Sequence, residues 1–321
     1  MAMAAVVLIG CQDNEQNPNV EQDVEAVVDL ASLPIVDHQC GSMDVLEGKI
    51  AQDPGLKTKM DDIESFTASY LQKVKKGDVQ ARLVNGKIQI PVVYHVIYRQ
   101  ASENLSLSVL QDQIDAMNED FNMQNPNRGS MPAEFAGAEA NVGIDFVIEN
   151  VIRVQNKKKR RWSPDDSMKF SSKGGSDVVN PQEFLNIWVV NYMPYQTGQI
   201  LGYAQFPGGS WSTDGVVLAH KFVGRNQRTA THEVGHWLNL RHIWGDGGCS
   251  ADDFVADTPL SSSNYSQQCP TYPVGTCGSN DMTMNFMSYV KDDCMYMFTN
   301  GQKARMDAVF APGGFRATMA D

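Results

Sequence analysis

"THEVGHWLNLRH", residues 231–242, contains three of the six histidines of the chain. His232 and His236 stand four residues apart, so on a helix both imidazoles lie on one face, about one turn apart. Glu233 follows His232 directly and can reach the same cleft. A catalytic zinc site uses three protein ligands and keeps one position open, so the pattern predicts zinc bound by His232, His236 and His242, with Glu233 as the general base.

The third histidine requires a break in the helix. If the helix continued for six residues beyond His236, His242 would lie on the wrong face. The chain must therefore turn sharply, through a residue with positive φ, which Gly adopts most readily and Asn next. Asn239 stands at this point, so we expect it to form the turn rather than to disrupt the metal site.

The apolar pattern predicts a sheet surrounded by helices. Runs of β-branched and aromatic residues predict strands, and apolar residues at helical spacing predict helices. Beyond residue 243 the chain is rich in Gly, Pro, Asp, Ser and Cys, which predicts irregular structure. This order indicates a two-lobed α+β domain with a loop-rich C-terminal lobe that ends in a helix. The predicted strands are 88–98, 142–154, 185–192, 201–209 (at a sheet edge) and 214–220, and the predicted helices are 62–77, 106–122, 226–239 and 301–310.

Composition and charge exclude some partners. The formal net charge of −12 argues against nucleic acid, because binding to phosphates needs a basic surface. The basic run at 157–161 is interpreted as a solvated loop. No segment after the N-terminus has 18 consecutive apolar residues, so we expect no membrane span.

Four of the six cysteines lie close together near the C-terminus. None of them forms a CxxC pair, which disfavours a zinc ribbon. Their spacing in a loop-rich region predicts two disulfides and an oxidising compartment, but four cysteines allow three pairings. These residues are Cys249, Cys269, Cys277 and Cys294.

Longer stretches resemble the pappalysin family of metzincin metalloproteases, over roughly residues 88–310. "HEVGHWLNLRH" is similar to the long zinc motif of the metzincins, and "NFMSYV" (285–290) to their Met-turn. "GRNQRTATHEVGHWLNLRHIWGD", "DTP" and "MFTNGQKARM" resemble pappalysins specifically. The resemblance implies a metzincin-like catalytic domain with a mixed twisted sheet, a backing helix and an active-site helix. Two positions depart from the pattern, Asn239 in place of Gly and Ser288 in place of the usual Asp.

The resemblance also implies roles for single residues. Met287 would pack beneath the metal without binding it, and Tyr289 would lie near zinc and stabilise the tetrahedral intermediate. Asp293 would lie at the base of a pocket that favours Arg or Lys after the scissile bond, through a charge-assisted pair. The edge strand around 202–206 would bind an extended substrate by main-chain hydrogen bonds.

Two further implications concern the C-terminal region. "DDFVADTP" (252–259) resembles the calcium-binding loop of the family, in which Asp253, Asp257 and Thr258 would supply oxygen ligands. The resemblance also selects one disulfide pairing. The implied bridges are Cys249–Cys277 and Cys269–Cys294.

Cys40 lies far from the other cysteines, in "QCG", which resembles the "RCG" of pappalysin-type prosegments. There the cysteine occupies the open position on zinc, and a thiolate is a strong zinc ligand. We therefore expect a latent zymogen with Cys40 on zinc. Activation would cut between roughly 75 and 88, with Arg82 as the preferred site.

The N-terminus indicates export. "MAMAAVVLIGC" resembles a bacterial lipobox, so residues 1–11 are interpreted as a lipoprotein-type signal with a lipid anchor through Cys11. Residues 12–30 are predicted to be a flexible acidic tether, 31–82 an inhibitory prosegment, and 83–321 the catalytic domain. The expected location is the cell surface or outer membrane, or the medium after processing.

These patterns predict an exported zinc endopeptidase, with calcium as a second cofactor, that acts on protein or peptide substrates and has no obligate protein partner. One alternative is an inactive surface binding lipoprotein that retains the protease fold, which the intact Glu233 and the three histidines disfavour. A second alternative is a zinc amidase acting on cell-wall or small amides. The long zinc motif and the Met-turn disfavour it.

Overall fold

The computed structural model describes residues 40–77, 87–195 and 198–320. Several predictions fall on other residues and so lie outside the described part of the chain. They are the signal with Cys11, the tether at 12–30 and the cleavage site at Arg82.

The sheet is the framework of the described chain. Its strands are β1 (Ile88–Tyr98), β2 (Ile144–Gln155), β3 (Leu185–Val190), β6 (Gly202–Ala204) and β7 (Val216–Ala219), and β4 (Pro194–Tyr195) and β5 (Gly198–Gln199) form a separate hairpin. The strand order is β2-β1-β3-β7-β6. The first three pairings are parallel, and β6 runs antiparallel to β7 at one edge. The prediction of an α+β fold with a mixed sheet is therefore confirmed.

Burial explains why the strands were visible in the sequence. Every residue of β3 and β7 is buried, as expected for parallel strands covered on both faces, which appear as continuous apolar runs. The short edge strand predicted within 201–209 is β6, next to the Pro and Gly that end it. The β4–β5 hairpin was not predicted, because strands of two residues are too short to show alternation.

Five α-helices lie in the described ranges: α1 (Ser42–Gln52), α2 (Gly55–Lys76), α3 (Leu107–Phe121), α4 (Thr229–Trp237) and α5 (Asn300–Phe310). α3 begins as predicted, with the Ser106 hydroxyl accepting a hydrogen bond from the Val109 amide. α2 starts earlier than predicted, α4 is shorter, and α1 was not predicted. None of these helices is long and apolar enough to cross a membrane.

α1 and α2 pack on the remainder of the chain through apolar contacts. Leu46 of α1 and Met60 of α2 form one buried cluster with Phe206, just beyond β6. Tyr70 of α2 forms another with Ala308 of α5. The region predicted to be a prosegment therefore lies against both the edge strand and the final helix.

The chain between α4 and α5 is irregular, as predicted, with short 3-10 turns instead of longer elements. Two disulfides cross this region with Cα–Cα distances of 5.5 and 5.8 Å. They join Cys249 to Cys277 and Cys269 to Cys294, which is the pairing that the family resemblance implied.

α4 packs closely against the segment 285–290 at Gly235. A Cβ atom at this position would lie 2.4 Å from the Sδ of Met287. Met287 is fully buried in a close-packed core, so its side chain has little room to move away. The glycine inside the His-Glu-x-Gly-His sequence is therefore required by packing against Met287.

We expect Gly235→Ala to destabilise the protein, although Ala is the better helix former. The propensity gain is about 1 kcal/mol, whereas overpacking a filled core costs about 1–3 kcal/mol. Thermal unfolding should show a melting temperature lower by a few degrees.

Gly48→Ala is the matched control, because Gly48 lies in α1 and no atom lies within 4 Å of its Cβ position. Its melting temperature should stay constant or rise. A Gly235→Ala protein as stable as the wild type would show that the Met287 contact does not constrain this position.

Candidate active site

α4 positions the first two histidines of the cluster. The whole helix is buried, and His232 and His236 project from one face with their Nε2 atoms 3.2 Å apart. Gly202 allows β6 to lie close to α4, because a Cβ atom at this position would lie 3.0 Å from both Glu233 Cγ and Thr229 Cγ2. Helix and edge strand are thus pressed together at the site.

The turn after α4 brings in the third histidine. Asn239 has φ 72°, the left-handed conformation that ends many helices. The Leu240 amide donates to the Gly235 carbonyl at 2.9 Å, which closes the turn. As a result His242 Nε2 lies 3.0 Å from His236 Nε2.

Hydrogen bonds fix the orientation of all three imidazoles. In each ring Nδ1 faces an acceptor, so Nδ1 carries the proton and the Nε2 lone pair points into the cluster. The acceptors of His232, His236 and His242 are the Phe286 carbonyl at 2.7 Å, the Leu240 carbonyl at 2.8 Å and the Asp246 carboxylate at 2.7 Å, respectively. Burial, followed by the charges of His242 and His232, lowers the pKa of His236 well below its usual value, which favours the neutral form.

The donor set fits zinc. The three imidazole nitrogens and the Sγ of Cys40 lie within 4.8 Å of one another, and all four residues are buried. Tetrahedral zinc with Zn–N bonds of about 2.05 Å separates its nitrogen ligands by about 3.3 Å, close to the separations of 3.0 and 3.2 Å between the Nε2 atoms. Three inward lone pairs without a shared proton repel one another, so a cation is the natural occupant of this position.

Glu233 lies beside the cluster with one oxygen engaged. Its Oε2 accepts hydrogen bonds from Ser42 Oγ at 2.7 Å and from Cys40 Sγ at 3.3 Å. Its Oε1 is buried and has no hydrogen-bond partner in the described part of the chain. Burial raises the pKa of Glu233 to about 8, against the opposing effect of the hydrogen bonds from Ser42 and Cys40.

The segment around Cys40 lies along β6. Cys40 forms a parallel bridge with Gly202, and the Gly41 amide donates to the Gly202 carbonyl at 2.9 Å. The Ala204 amide donates to Ser42 Oγ at 2.8 Å. Burial, and then the Glu233 carboxylate, raise the pKa of the Cys40 thiol well above its usual value, so a thiolate at this depth needs a neighbouring cation.

The Met-turn residues lie below and beside the histidines. Met287 packs under α4 at Gly235. The Tyr289 hydroxyl donates to the Cys40 carbonyl at 3.2 Å, and its ring lies 4.9 Å from that of His242. Burial raises the pKa of Tyr289 well above its usual value, so its hydroxyl stays protonated. Ser288 is fully buried and donates to the Asn264 carbonyl at 3.5 Å, so it fits without the usual Asp.

The acidic pair after the Met-turn divides between surface and interior. Asp293 is exposed. The neighbouring Asp292 has a buried Oδ1 without a hydrogen-bond partner in the described ranges. Burial raises its pKa to about 6, although the Arg228 amide and guanidinium oppose the shift. Asp292 was missed in the sequence, where nothing distinguishes it from Asp293.

The three residues proposed for calcium are engaged with protein groups. Thr258 Oγ1 donates to both oxygens of Asp253, at 2.9 and 2.8 Å. Asp257 accepts from Thr299 Oγ1 at 2.6 Å and from the Gly301 amide at 2.8 Å, at the start of α5. The loop therefore anchors α5, whether or not an ion is bound.

Two other contacts at the site were not predicted from the sequence, where Asp246 was considered only as a weaker calcium ligand. Ser42 contacts Glu233, from which it is separated by 191 positions. Asp246 orients His242, and its i+4 spacing from that histidine is the signal that could have revealed it.

Comparison with known proteins agrees with this geometry. The peptidase M43 family model, described as "Pregnancy-associated plasma protein-A", matches residues 171–311. An "Extracellular metalloprotease" of Pyricularia oryzae is 32% identical over 251 residues, which cover 72% of this chain and 77% of that protein. A similar protein of Verticillium alfalfae is 33% identical over 68% of this chain and 76% of its own length.

Solved structures give the same result. Mature mirolysin of Tannerella forsythia in complex with a cleaved peptide is 38% identical, with a TM-score of 0.68, over 73% of this chain and 95% of its own. A promirolysin mutant from the same organism is 34% identical, with a TM-score of 0.75, over 88% of this chain and 96% of its own. The chain therefore belongs to the peptidase M43, or pappalysin, family of metzincins and is a metalloendopeptidase.

Proposed function

We propose that the protein is an exported endopeptidase, made as a latent zymogen, in which His232, His236 and His242 hold zinc. The convergence of three Nε2 atoms beside the buried carboxylate of Glu233 carries this proposal. Bound zinc would polarise the scissile carbonyl and lower the pKa of water. The family is a zinc family, and the donor set described above suits that ion.

Glu233 is proposed as the general base. Its free Oε1 faces no protein donor in the described chain, so it is available to take a proton from water and return it to the leaving amine. Tyr289 is proposed to stabilise the oxyanion. Its hydroxyl now donates to the Cys40 carbonyl, and the same donor would serve a substrate carbonyl once that segment leaves.

β6 is proposed to bind the substrate main chain. Its outer edge faces no further strand of the described sheet, and its Gly202 carbonyl and Ala204 amide bond to Gly41 and Ser42. An extended peptide would use the same groups, which recognise backbone rather than side chains. The relative bound to a cleaved peptide supports a peptide substrate.

The segment 40–42 is proposed to enforce latency. Cys40 Sγ is the fourth potential ligand atom of the cluster, and Ser42 Oγ donates a hydrogen bond to Glu233 Oε2. The pro-form relative aligns with 88% of this chain, against 73% for the mature form, which supports a prosegment. Cleavage near Arg82, in the span from about 75 to 88, would then release residues before the catalytic domain at 83–321.

Two finer features, a calcium site and a lipid anchor, are also part of the proposal. Calcium would bind at Asp253, Asp257 and Thr258, after these side chains release their present hydrogen bonds. Cys11 would carry a lipid anchor at the cell surface. The extracellular relatives support export in general. An inactive binding lipoprotein is not favoured, because the site keeps a complete donor set and a base.

Glu233→Ala is expected to remove peptide cleavage and to keep the metal. Loss of a general base lowers the rate by about 10²–10⁴-fold, while the zinc ligands stay in place. Activated protein should be assayed with a fluorogenic peptide, and its zinc content measured by mass spectrometry. Full activity in Glu233→Ala would refute the assigned base, and His236→Ala serves as the comparison that loses metal.

Cys40→Ala is expected to yield activity before cleavage of the prosegment, because the fourth position at the metal becomes accessible. The uncut chain should be assayed immediately after purification. Cys40→Ala/Glu233→Ala is the control, since it should remain both uncut and inactive. If uncut Cys40→Ala is as inactive as the uncut wild type, Cys40 is not the residue that enforces latency.

The acidic pair should decide the preference for Arg or Lys after the scissile bond. A charge-assisted hydrogen bond contributes about 1.5–3 kcal/mol, so loss of the responsible carboxylate should lower the Arg-over-Gln selectivity about tenfold or more. Asp293→Asn and Asp292→Asn should be profiled side by side on a proteome digest. Arg-over-Gln selectivity that survives Asp293→Asn would contradict the role proposed for Asp293. Asp292→Asn tests whether the neighbouring carboxylate supplies the preference instead.

A further inference from the structure

Lys49 of α1 reaches two acceptors that belong to the catalytic part of the chain. Its Nζ lies 2.6 Å from Asp166 Oδ2 and donates to Gln205 Oε1 at 2.9 Å. Both acceptors lie next to β6, because Gln205 directly follows this strand and Asp166 accepts a hydrogen bond from Tyr203 within it.

Asp166 is held rigidly for this contact. Its Oδ1 accepts from the Tyr203 hydroxyl at 2.9 Å and lies 2.8 Å from Lys169 Nζ, so only Oδ2 remains for Lys49. Lys169 is fully buried and also donates to the Thr213 carbonyl at 2.6 Å. Burial disfavours the charged carboxylate, but Lys169 and Lys49 outweigh it and lower the pKa of Asp166 to about 2.

The backbone at Asp166 is also unusual. Its φ is 61°, a conformation that costs free energy in a residue other than Gly and that persists where surrounding contacts enforce it. The carboxylate is thus placed by its own chain and does not depend on Lys49 for its direction.

Gln205 presents an acceptor for the same reason. Its Nε2 donates to the Ser210 carbonyl at 2.8 Å, and lies 3.3 Å from an oxygen of Asp214. Its Oε1 accepts from Thr213 Oγ1 at 2.6 Å. The amide nitrogen is therefore committed to acceptors behind it, and the oxygen must face Lys49.

Gln205 lies at the end of the edge strand. Gln205 directly follows β6, whose last residue, Ala204, bonds to Ser42. A substrate lying along β6 would pass Gln205 just beyond the groups of Gly202 and Ala204 that now bond to Gly41 and Ser42.

We propose that Asp166 and Gln205 form a substrate subsite for a lysine or arginine side chain, which Lys49 fills in the latent protein. This inference rests on the proposed peptidase function. When the prosegment leaves, Asp166 Oδ2 and Gln205 Oε1 lose their shared donor, so Oδ2 loses the Lys49 cation while Gln205 Oε1 keeps the Thr213 hydroxyl. A basic side chain of the substrate restores both contacts, and either cation can donate to two acceptors.

The test is a peptide series on the activated wild-type enzyme. One cleavable parent peptide is varied at each position two to five residues from the scissile bond, on both sides, with Lys, Arg or norleucine. We expect kcat/KM to be about tenfold higher for Lys or Arg at one of these positions, on one side of the scissile bond only. Cleavage of every peptide at the same rate overturns the subsite and leaves the peptidase function intact, whereas no cleavage at all counts against the proposed function itself.

Variants assign the preference to its residues. Asp166→Asn should bring the ratio of Lys to norleucine close to one, and Asp165→Asn, its exposed neighbour, should keep the wild-type ratio. Asp166→Asn alone would leave the buried Lys169 cation without its partner and could destabilise the fold. The double variant Asp166→Asn/Lys169→Met removes both charges and is therefore measured beside it. A wild-type ratio in either folded variant overturns the assignment to Asp166.

Discussion

Three imidazoles directed at one position, with the Nε2 atom of His236 3.2 and 3.0 Å from those of His232 and His242, are the constraint on which this structure depends. Their lone pairs repel unless a cation lies between them, and the surrounding chain has to hold them against that repulsion. Each ring is held through Nδ1 by a separate acceptor. The acceptor that is most distant in the sequence, the Phe286 carbonyl, belongs to the Met-turn. The Met-turn therefore supports the cluster twice, through this carbonyl and through the contact of Met287 with Gly235.

Much of this architecture was predictable, because the determining contacts are local or periodic. β3 and β7 appear as apolar runs because both faces of the sheet are covered, and α3 appears through its spacing and its Ser106 cap. The histidine cluster also has a local signature, since His232, His236 and His242 lie on one helix and the turn after it. The positive φ of Asn239 could be predicted, because Asn is one of the few residues other than Gly that tolerate this conformation.

The remaining features depend on contacts between distant parts of the chain, and no pattern in the sequence marks them. α1 is short and weakly amphipathic, and forms where Leu46 packs beneath Phe206. Ser42 and Lys49 are unremarkable residues until the fold places them against Glu233 and Asp166. Burial likewise separates Asp292 from Asp293, although the two residues are identical in type and adjacent in the chain.

The turn at Asn239 has one more consequence. Glu64 of α2 accepts from Asn239 Nδ2 at 3.2 Å and from the Arg305 guanidinium at 2.7 Å, while Arg305 donates to the Asn239 carbonyl at 3.0 Å. The turn between His236 and His242 is therefore braced by a helix of the region proposed to be the prosegment. Under the proposed activation, loss of α2 would remove Glu64 from Asn239 and Arg305, and of these bonds the turn that positions His242 would then keep only the one from Arg305 to the Asn239 carbonyl.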